Sequence, residues 1–179
     1  MQFCTDRLLL REYQVNDLED KFAFESDPLV VKYVCYGPYS REECSQDLEF
    51  HIAHQSANPR RYYHLGLVLP AANCLIGWCG LELKAENKRD GEIGYALNRN
   101  YWGNGYMLEA AQAILTFGFE QLKLHRIFAT CHPANHASIR VLEKLNMQYE
   151  GCLRAQKKCR GKWRDTLIYA LAIRFRESD

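Results

Sequence analysis

The chain has no apolar run approaching the ~20 residues that a membrane-crossing helix needs. Its opening, Met1-Gln-Phe-Cys4, lacks the basic and apolar regions of a signal peptide. A strong net charge is missing too: 23 Lys and Arg against 22 Asp and Glu leave +1, so no general field favours nucleic acid or a membrane surface. The 8 cysteines include no Cys-x-x-Cys. Metal-ligand and disulfide-scaffold spacings are therefore absent, and reduced thiols in a cytoplasmic protein are expected. No repeat, low-complexity tract or Pro/Gly/Ser linker interrupts the 179 residues, so the whole chain reads as one domain.

Two familiar phosphate signatures are also absent. A P-loop needs Gly-x-x-x-x-Gly-Lys-Ser/Thr, and a dinucleotide fingerprint needs Gly-x-Gly-x-x-Gly. Here Gly103-x-Gly105 is followed by Leu108 at the third glycine position.

What is present is a short apolar run, Glu92-Ile-Gly-Tyr-Ala-Leu97, that stops at Asn98 and passes through Trp102-Gly-Asn-Gly-Tyr-Met107 into a long amphipathic segment. Glycines at 103 and 105 let the backbone approach a ligand. The helix start beyond offers unpaired N–H groups and the positive end of a dipole, a seat for phosphate. A plain tight turn explains Gly-x-Gly alone equally well.

The remaining pattern is mixed. Arg7–Tyr13 reads as a first strand, and Asn16-Asp-Leu-Glu19 and Ser40-Arg-Glu-Glu43 read as two helix-opening capping boxes. A short turn of helix is expected after Asp27-Pro28 and a second helix to about Gln55. Tyr62–Leu69 and Cys74–Leu83 form a strand meander, and Asn87–Gly91 is a polar turn. A helix from about Gly105 to Leu122 is expected to bury Leu108, Ala111, Ala113, Leu115, Phe119 and Leu122. Strand Arg126–Cys131, a helix from His136 to Leu145, and strands Gln148–Arg154 and Asp165–Arg174 close the chain. Strands interspersed with helices give an α/β or α+β domain.

Four blocks carry a resemblance: Thr5-Asp-Arg7-Leu-Leu-Leu-Arg11, Ser26-Asp-Pro28 to Tyr33, Tyr101-Trp-Gly-Asn-Gly-Tyr-Met-Leu-Glu109-Ala110, and Asn135-x-x-Ser138-Ile-Arg140 to Lys144. With Gly161-Lys-Trp163 to Tyr169 they resemble, in order, the GNAT superfamily of acetyl-CoA-dependent N-acetyltransferases, and within it the RimJ/RimL ribosomal-protein-alanine branch. Met107 departs from that pattern, which has Gly or Ala there. The resemblance implies a three-layer fold with a mixed, mostly antiparallel sheet of about seven strands and about four helices. In that fold the fourth and fifth strands, here Glu92–Leu97 and Arg126–Cys131, splay apart around the pantetheine arm of the cofactor.

Carried over residue by residue, the resemblance implies that backbone groups of Ile93, Gly94, Tyr95, Ala96 and Leu97 hold pantetheine. N–H groups of Trp102, Gly103, Asn104, Gly105, Tyr106 and Met107 hold pyrophosphate, and Asn135 contacts coenzyme A. Arg140 and Lys144, four apart, either reach the nucleotide phosphates or are ordinary solvated charges. Ser138 is placed near the thioester sulfur, where a hydroxyl can protonate or stabilise the leaving thiolate. The general base departs from the branch: alignment through Glu150-Gly-Cys152 puts Lys157 where some members carry a carboxylate. Glu92 is the substitute expected here, with Glu150 and His132 behind it.

A protein α-amino group of pKa ~7.7–8.0 is about one-third neutral near pH 7.5, whereas an amine of pKa ~10.4 costs about 4 kcal/mol to deprotonate. A site with a weak base therefore suits α-amines. The expected function is acetyl transfer from acetyl-CoA to a protein N-terminus or a small-molecule amine, by direct attack in a ternary complex. A silent acyl-CoA-binding module is the alternative from another class. No metal is called for: His51-x-x-His54 offers no third ligand. Cys131 would need an activating partner to act as a nucleophile. Lys157 to Arg164 holds five basic residues around Trp163, as a nucleic-acid patch would, but it coincides with the branch's glycine-containing hairpin loop, so a solvated turn or an acceptor-binding flap, with an acidic acceptor among the options, is the better reading. Tyr36, Tyr39, Tyr62 and Tyr63 either line the acceptor cleft or are packing. A homodimer is compatible with the resemblance.

Overall fold

The computed structural model describes residues 1–84 and 89–173. The polar turn expected at 87–91 lies partly outside the described residues, as does the strand end expected at Arg174. Eight strands form one sheet in the order β1-β2-β3-β4-β5-β6-β8-β7. They are β1 (Gln2–Cys4), β2 (Leu9–Arg11), β3 (Tyr62–Leu69), β4 (Cys74–Leu83), β5 (Asp90–Leu97), β6 (Arg126–Cys131), β7 (Gln148–Cys159) and β8 (Lys162–Ala172). The helices are α1 (Leu18–Glu25), α2 (Arg41–His54), α3 (Tyr106–Glu120) and α4 (His136–Lys144). All neighbouring strands pair antiparallel except β5 and β6. This is the expected mixed, mostly antiparallel sheet with four helices.

The opening strand expected at Arg7–Tyr13 shortens to β2, and a further strand, β1, precedes it. Thr5 and Leu8 close a turn in which the Thr5 N–H donates to the Leu8 carbonyl at 2.9 Å and the Leu8 N–H to the Thr5 hydroxyl at 3.1 Å, so β1 folds back on β2. The box at Ser40 forms: its hydroxyl accepts from the Glu43 N–H and its own N–H donates to the Glu43 carboxylate at 2.7 Å. The box at Asn16 does not. Asp17 is buried, holds Arg11 at 2.7 Å through both oxygens and accepts the Gln14 N–H, so α1 starts at Leu18. After Asp27-Pro28 the chain makes turns rather than a helix.

Helix α3 packs on the sheet through Met107, Ala110, Ala111, Ile114, Leu115, Phe117 and Gly118. This 3.6-residue stripe differs from the expected one, which shares only Ala111 and Leu115 with it; Leu108, Ala113, Phe119 and Leu122 are half-buried. The small residues at 110, 111 and 118 bring the helix close: a Cβ on Gly118 would lie 2.6 Å from Ile127.

A second core under α1 and α2 holds Tyr13, Phe24, Leu48 and Leu75. Beside it Lys21, 1% exposed, pairs with Asp47 at 2.8 Å and Glu25 at 3.5 Å. The Trp78 indole donates to Glu25 at 2.8 Å. The rings of His51, His64 and Trp78 stack in series, 4.3 and 4.7 Å apart.

The β7–β8 hairpin is longer than expected. Arg160 and Gly161, with φ of +49° and +79°, make its tight turn. At one side Cys159 is bonded to Cys35, their Cα atoms 4.6 Å apart. This corrects the expectation of reduced thiols throughout. The partners are 124 residues apart in sequence and meet only through the fold, so spacing could not reveal them. Among the described residues no helix is long and apolar enough to cross a membrane.

Candidate active site

β5 and β6 pair in parallel through three positions only: Asp90 with Arg126, Gly91 with Ile127 and Glu92 with Phe128. Past Glu92 the strands part, while β5 stays paired with β4 as far as Leu97. One edge of β5 is therefore open from Ile93 onward, and its backbone donors and acceptors are available to an extended ligand. A cavity of about 440 Å³ occupies the opening. It gathers Glu92, Ile93, Gly94 and Tyr95 from β5, Cys131 from β6, and Asn135 and Ser138 at the head of α4.

Asn135 caps α4, its side-chain carbonyl accepting the Ser138 N–H at 3.2 Å. The amide nitrogen is then the group Asn135 can offer a ligand. The Ser138 hydroxyl is 2.9 Å from the Tyr95 hydroxyl across the gap. Burial pushes the Tyr95 phenol well above its ordinary value, so it stays protonated and can donate to Ser138.

Beyond β5 the chain builds a second feature. The Trp102 N–H donates to Arg99 at 3.1 Å and its indole to the Leu97 carbonyl at 2.7 Å. Those two groups are thus spent on the chain itself. Gly103 and Gly105 take φ of +81° and +80°, where a side chain is strained, and nothing would stand within 4 Å of a Cβ at Gly103. Helix α3 starts with no side-chain cap. Among the described residues the N–H groups from Gly103 to Leu108 donate to no protein acceptor, and the first helical hydrogen bond is Glu109 to Gly105 at 3.1 Å. Open N–H groups on a glycine loop at a helix start fit a pyrophosphate. Met107 does not obstruct it, because its side chain is buried in the core at 7% exposure.

The loop is pinned from the N-terminal strands. Arg7 pairs with Glu109 at 2.6 Å, donates to the Asn104 carbonyl at 2.9 Å and lies over the Tyr106 ring. Thr5 donates to the same carboxylate at 2.5 Å. Against the penalty of burial, these hydrogen bonds hold the Glu109 carboxyl below its usual range.

None of the candidate bases is free. Glu92 pairs with Lys84 at 2.6 Å and accepts from Thr130 at 2.7 Å. His132 lines the cavity and is stacked on Tyr33, but its Nδ1 accepts the Ala134 N–H at 3.0 Å. Burial, then Arg164, lower its pKa, so the ring is neutral with its remaining proton on Nε2. Glu150 is paired with Arg126 and is not among the cavity's lining residues. Lys157 lines the cavity as a cation. Burial pushes the Cys131 thiol up to about 11, leaving it unreactive.

Arg140 and Lys144 are exposed on α4 and make no ion pair among the described residues. Sequence reasoning missed the Tyr95 hydroxyl, the Arg7–Glu109 clamp and Arg164 in the cavity wall. Only the bare two-residue alternation on β5 hinted at the first.

The profile of the acetyltransferase (GNAT) domain family matches residues 7–148. The chain is 37% identical over 174 residues to the uncharacterized N-acetyltransferase YnaD of Bacillus subtilis strain 168, covering 96% of both chains. A GNAT-family acetyltransferase from Bacillus anthracis superposes with a TM-score of 0.87 at 33% identity, over 96% of this chain and 98% of that one. RimL, described as a ribosomal L7/L12 α-N-protein acetyltransferase in complex with coenzyme A, shares the fold at TM-score 0.84 and 20% identity, over 97% of this chain and 98% of that one.

Proposed function

The chain belongs to the GNAT acetyltransferase family, and from that premise we propose that residues 1–179 act as one unit that acetylates a primary amine, most of all a protein N-terminal α-amino group of the ribosomal-protein-alanine kind, or else a small-molecule amine. Acetyl-CoA is the acetyl donor for this enzyme class, supplying an activated thioester. The open edge of β5 from Ile93 to Ala96 orients its pantetheine arm, and the N–H groups from Gly103 to Met107 receive the pyrophosphate. Asn135 adds an amide donor, and Arg140 and Lys144 add charge at the nucleotide end.

The amine adds directly to the thioester carbonyl while both substrates are bound. The Ser138 hydroxyl, held by Tyr95 at 2.9 Å, gives its proton to the departing sulfur and is replenished through the phenol. Glu92 receives the amine's proton through a water only when Lys84 releases one of its oxygens.

The observation that carries the choice of acceptor is that the two expected bases lining the cavity are both engaged: Glu92 is tied to Lys84 and Thr130, and the His132 lone pair is taken by Ala134. An α-amine near pKa ~8 needs little help to lose its proton at neutral pH, whereas a lysine-type amine near ~10.4 needs a great deal. The RimL likeness points to the same acceptor class.

The test is thiol release from acetyl-CoA with a panel of N-terminal peptides and of lysine and polyamine amines across pH 6.5–9. The expected result is turnover with α-amines that rises to a plateau near the amine's own pKa. Preference for the high-pKa amines, or turnover only with them, overturns the acceptor assignment.

A further inference from the structure

The charges in the cavity narrow the acceptor beyond its amine. Three carboxylates line it, and all are engaged. Glu92 and Glu82 face Lys84 at 2.6 and 3.8 Å, and Asp165 accepts the Ala155 N–H at 2.8 Å.

The two cations on the hairpin wall are in the opposite condition. Among the described residues neither Lys157 nor Arg164 makes an ion pair or a side-chain hydrogen bond. The Nη1 of Arg164 is buried from solvent without a partner. Lys157 and Arg164 are direct cross-strand partners of the β7–β8 ladder, so they project from the same face, and both line the cavity.

Like charges directly opposite one another destabilise a sheet, and a guanidinium nitrogen shut off from water without an acceptor carries its full desolvation cost. The hairpin is shaped to hold this pair. A register shift lies between Leu153 and Lys157, where Ala155 sits at φ +46° and its N–H is held by Asp165. A bulge of this kind decides which side chains of a strand face inward. The hairpin is also fixed to the facing wall by the Cys35–Cys159 bond and by Arg160, which donates to the Val31 carbonyl at 2.9 Å and the Tyr36 carbonyl at 2.5 Å.

We infer that the acceptor carries an anionic group, a carboxylate or a phosphate, close to its amine, and that Arg164 with Lys157 receives it. The planar guanidinium suits either anion through paired N–H donors, and Lys157 adds a mobile point charge. The inference rests on the acetyltransferase reading of the same cavity and makes that reading more specific: charge beside the amine, rather than the amine alone, selects the substrate.

The experiment compares matched acceptors that differ in charge: alanyl-glutamate amide with alanyl-glutamine amide, alanine with alaninamide, and phosphoethanolamine with ethanolamine. Both kcat/KM and calorimetric binding to the coenzyme A-saturated protein are measured. The acidic member of at least one pair is expected to be favoured about 10-fold or more, mainly through KM and binding, as charge-assisted hydrogen bonds imply. The preference shrinks as salt is raised. Selectivity for the peptide pair identifies a protein N-terminus as the source of the anion, and selectivity for the other pairs identifies a small molecule.

Arg164→Gln is expected to bring the ratio close to 1 and Arg164→Lys to restore part of it, with Lys157→Gln lowering it by a smaller factor. Thermal melts establish that each variant is folded. Equal turnover and equal binding of acidic and neutral members, or a ratio untouched by Arg164→Gln, overturns the inference while the acetyltransferase reading stands. Acid-selective binding with no acetylation of any amine does the reverse: it upholds the anion site and removes the proposed acceptor chemistry.

Discussion

The two halves of the proposed site offer their ligands different kinds of group. On the proposed coenzyme side, from Gly103 to Leu108, the groups on offer are backbone N–H donors, and the nearby charges are locked in pairs such as Arg7 with Glu109 at 2.6 Å. On the proposed acceptor side the groups on offer are side chains from separate stretches, Tyr33, His132, Lys157 and Arg164, and the two hairpin cations make no ion pair among the described residues. A fixed backbone cradle suits one invariant ligand, because its geometry survives any side-chain change that keeps the turn. A wall of side chains is where specificity can change without disturbing the cradle. Ser138 and Tyr95 stand at the seam, one on α4 and one on β5.

The seam is where the largest effect is expected. Ser138→Ala should lower kcat by about 100-fold, the lower range for loss of a proton-transfer group, and leave acetyl-CoA affinity within about two-fold. Stopped-flow turnover and calorimetry on the same sample check the split. A fall in affinity equal to the fall in kcat would place Ser138 in the cradle instead.

Gly105→Val should do the reverse. At φ +80° a β-branched residue is strained, at about 1–3 kcal/mol, and acetyl-CoA affinity should weaken by about 10-fold or more, with a lower melting temperature.

A third expectation concerns the wall of stacked rings behind the acceptor cavity. Burial pushes His64 down to about 3 and lowers His51 as well, while the unfolded chain titrates near 6.5. The folded state therefore binds fewer protons than the unfolded one between those values, and stability falls as pH drops below 6.5. The loss is up to about 1.4 kcal/mol per pH unit for each ring. Denaturant melts from pH 7 to 4.5 measure it, and His64→Gln should flatten the slope.

The smallest effect is expected from Glu109→Gln, which keeps the size of the clamp and removes its charge. Acetyl-CoA should bind several-fold more weakly, and about 1 kcal/mol of stability should be lost, in line with partly exposed ion pairs. Unchanged binding would mean that the loop holds its shape without the clamp.

The difference between the halves also decides what could be read from the sequence. Gly103 and Gly105 were legible because they belong to a short contiguous pattern whose geometry is local, a glycine loop before a helix, whereas Asn135 and Ser138 were reached only through the family resemblance. The Ser40–Glu43 box was legible in the same local way as the glycine loop, and the parting of β5 from β6 came with the resemblance. Arg164 was not legible, since its position depends on the bulge at Ala155 and on the closure of β8 between β6 and β7, and the Tyr95 hydroxyl was not, since β5 meets Ser138 of α4 only through the fold. The Cys35–Cys159 bond needed the same closure. Glu92 was identifiable as a carboxylate at the head of a strand, but Lys84 and Thr130, which occupy its two oxygens, are contributed by the residue just past β4 and by β6. The apolar stripe of α3 was misread because several apolar residues lie outside the true stripe, and period alone does not choose between overlapping faces.

The central claim, that the glycine loop and the open edge of β5 form the acetyl-CoA site, is tested most directly by thermal melts of the wild-type protein and Gly105→Val with and without acetyl-CoA. At 100 times its dissociation constant the ligand should add ~2.7 kcal/mol to the wild type, a rise of roughly 5–10 °C for a chain of this size. The variant at the same concentration should rise much less. No rise in the wild type at millimolar acetyl-CoA, or an equal rise in both proteins, would contradict the account.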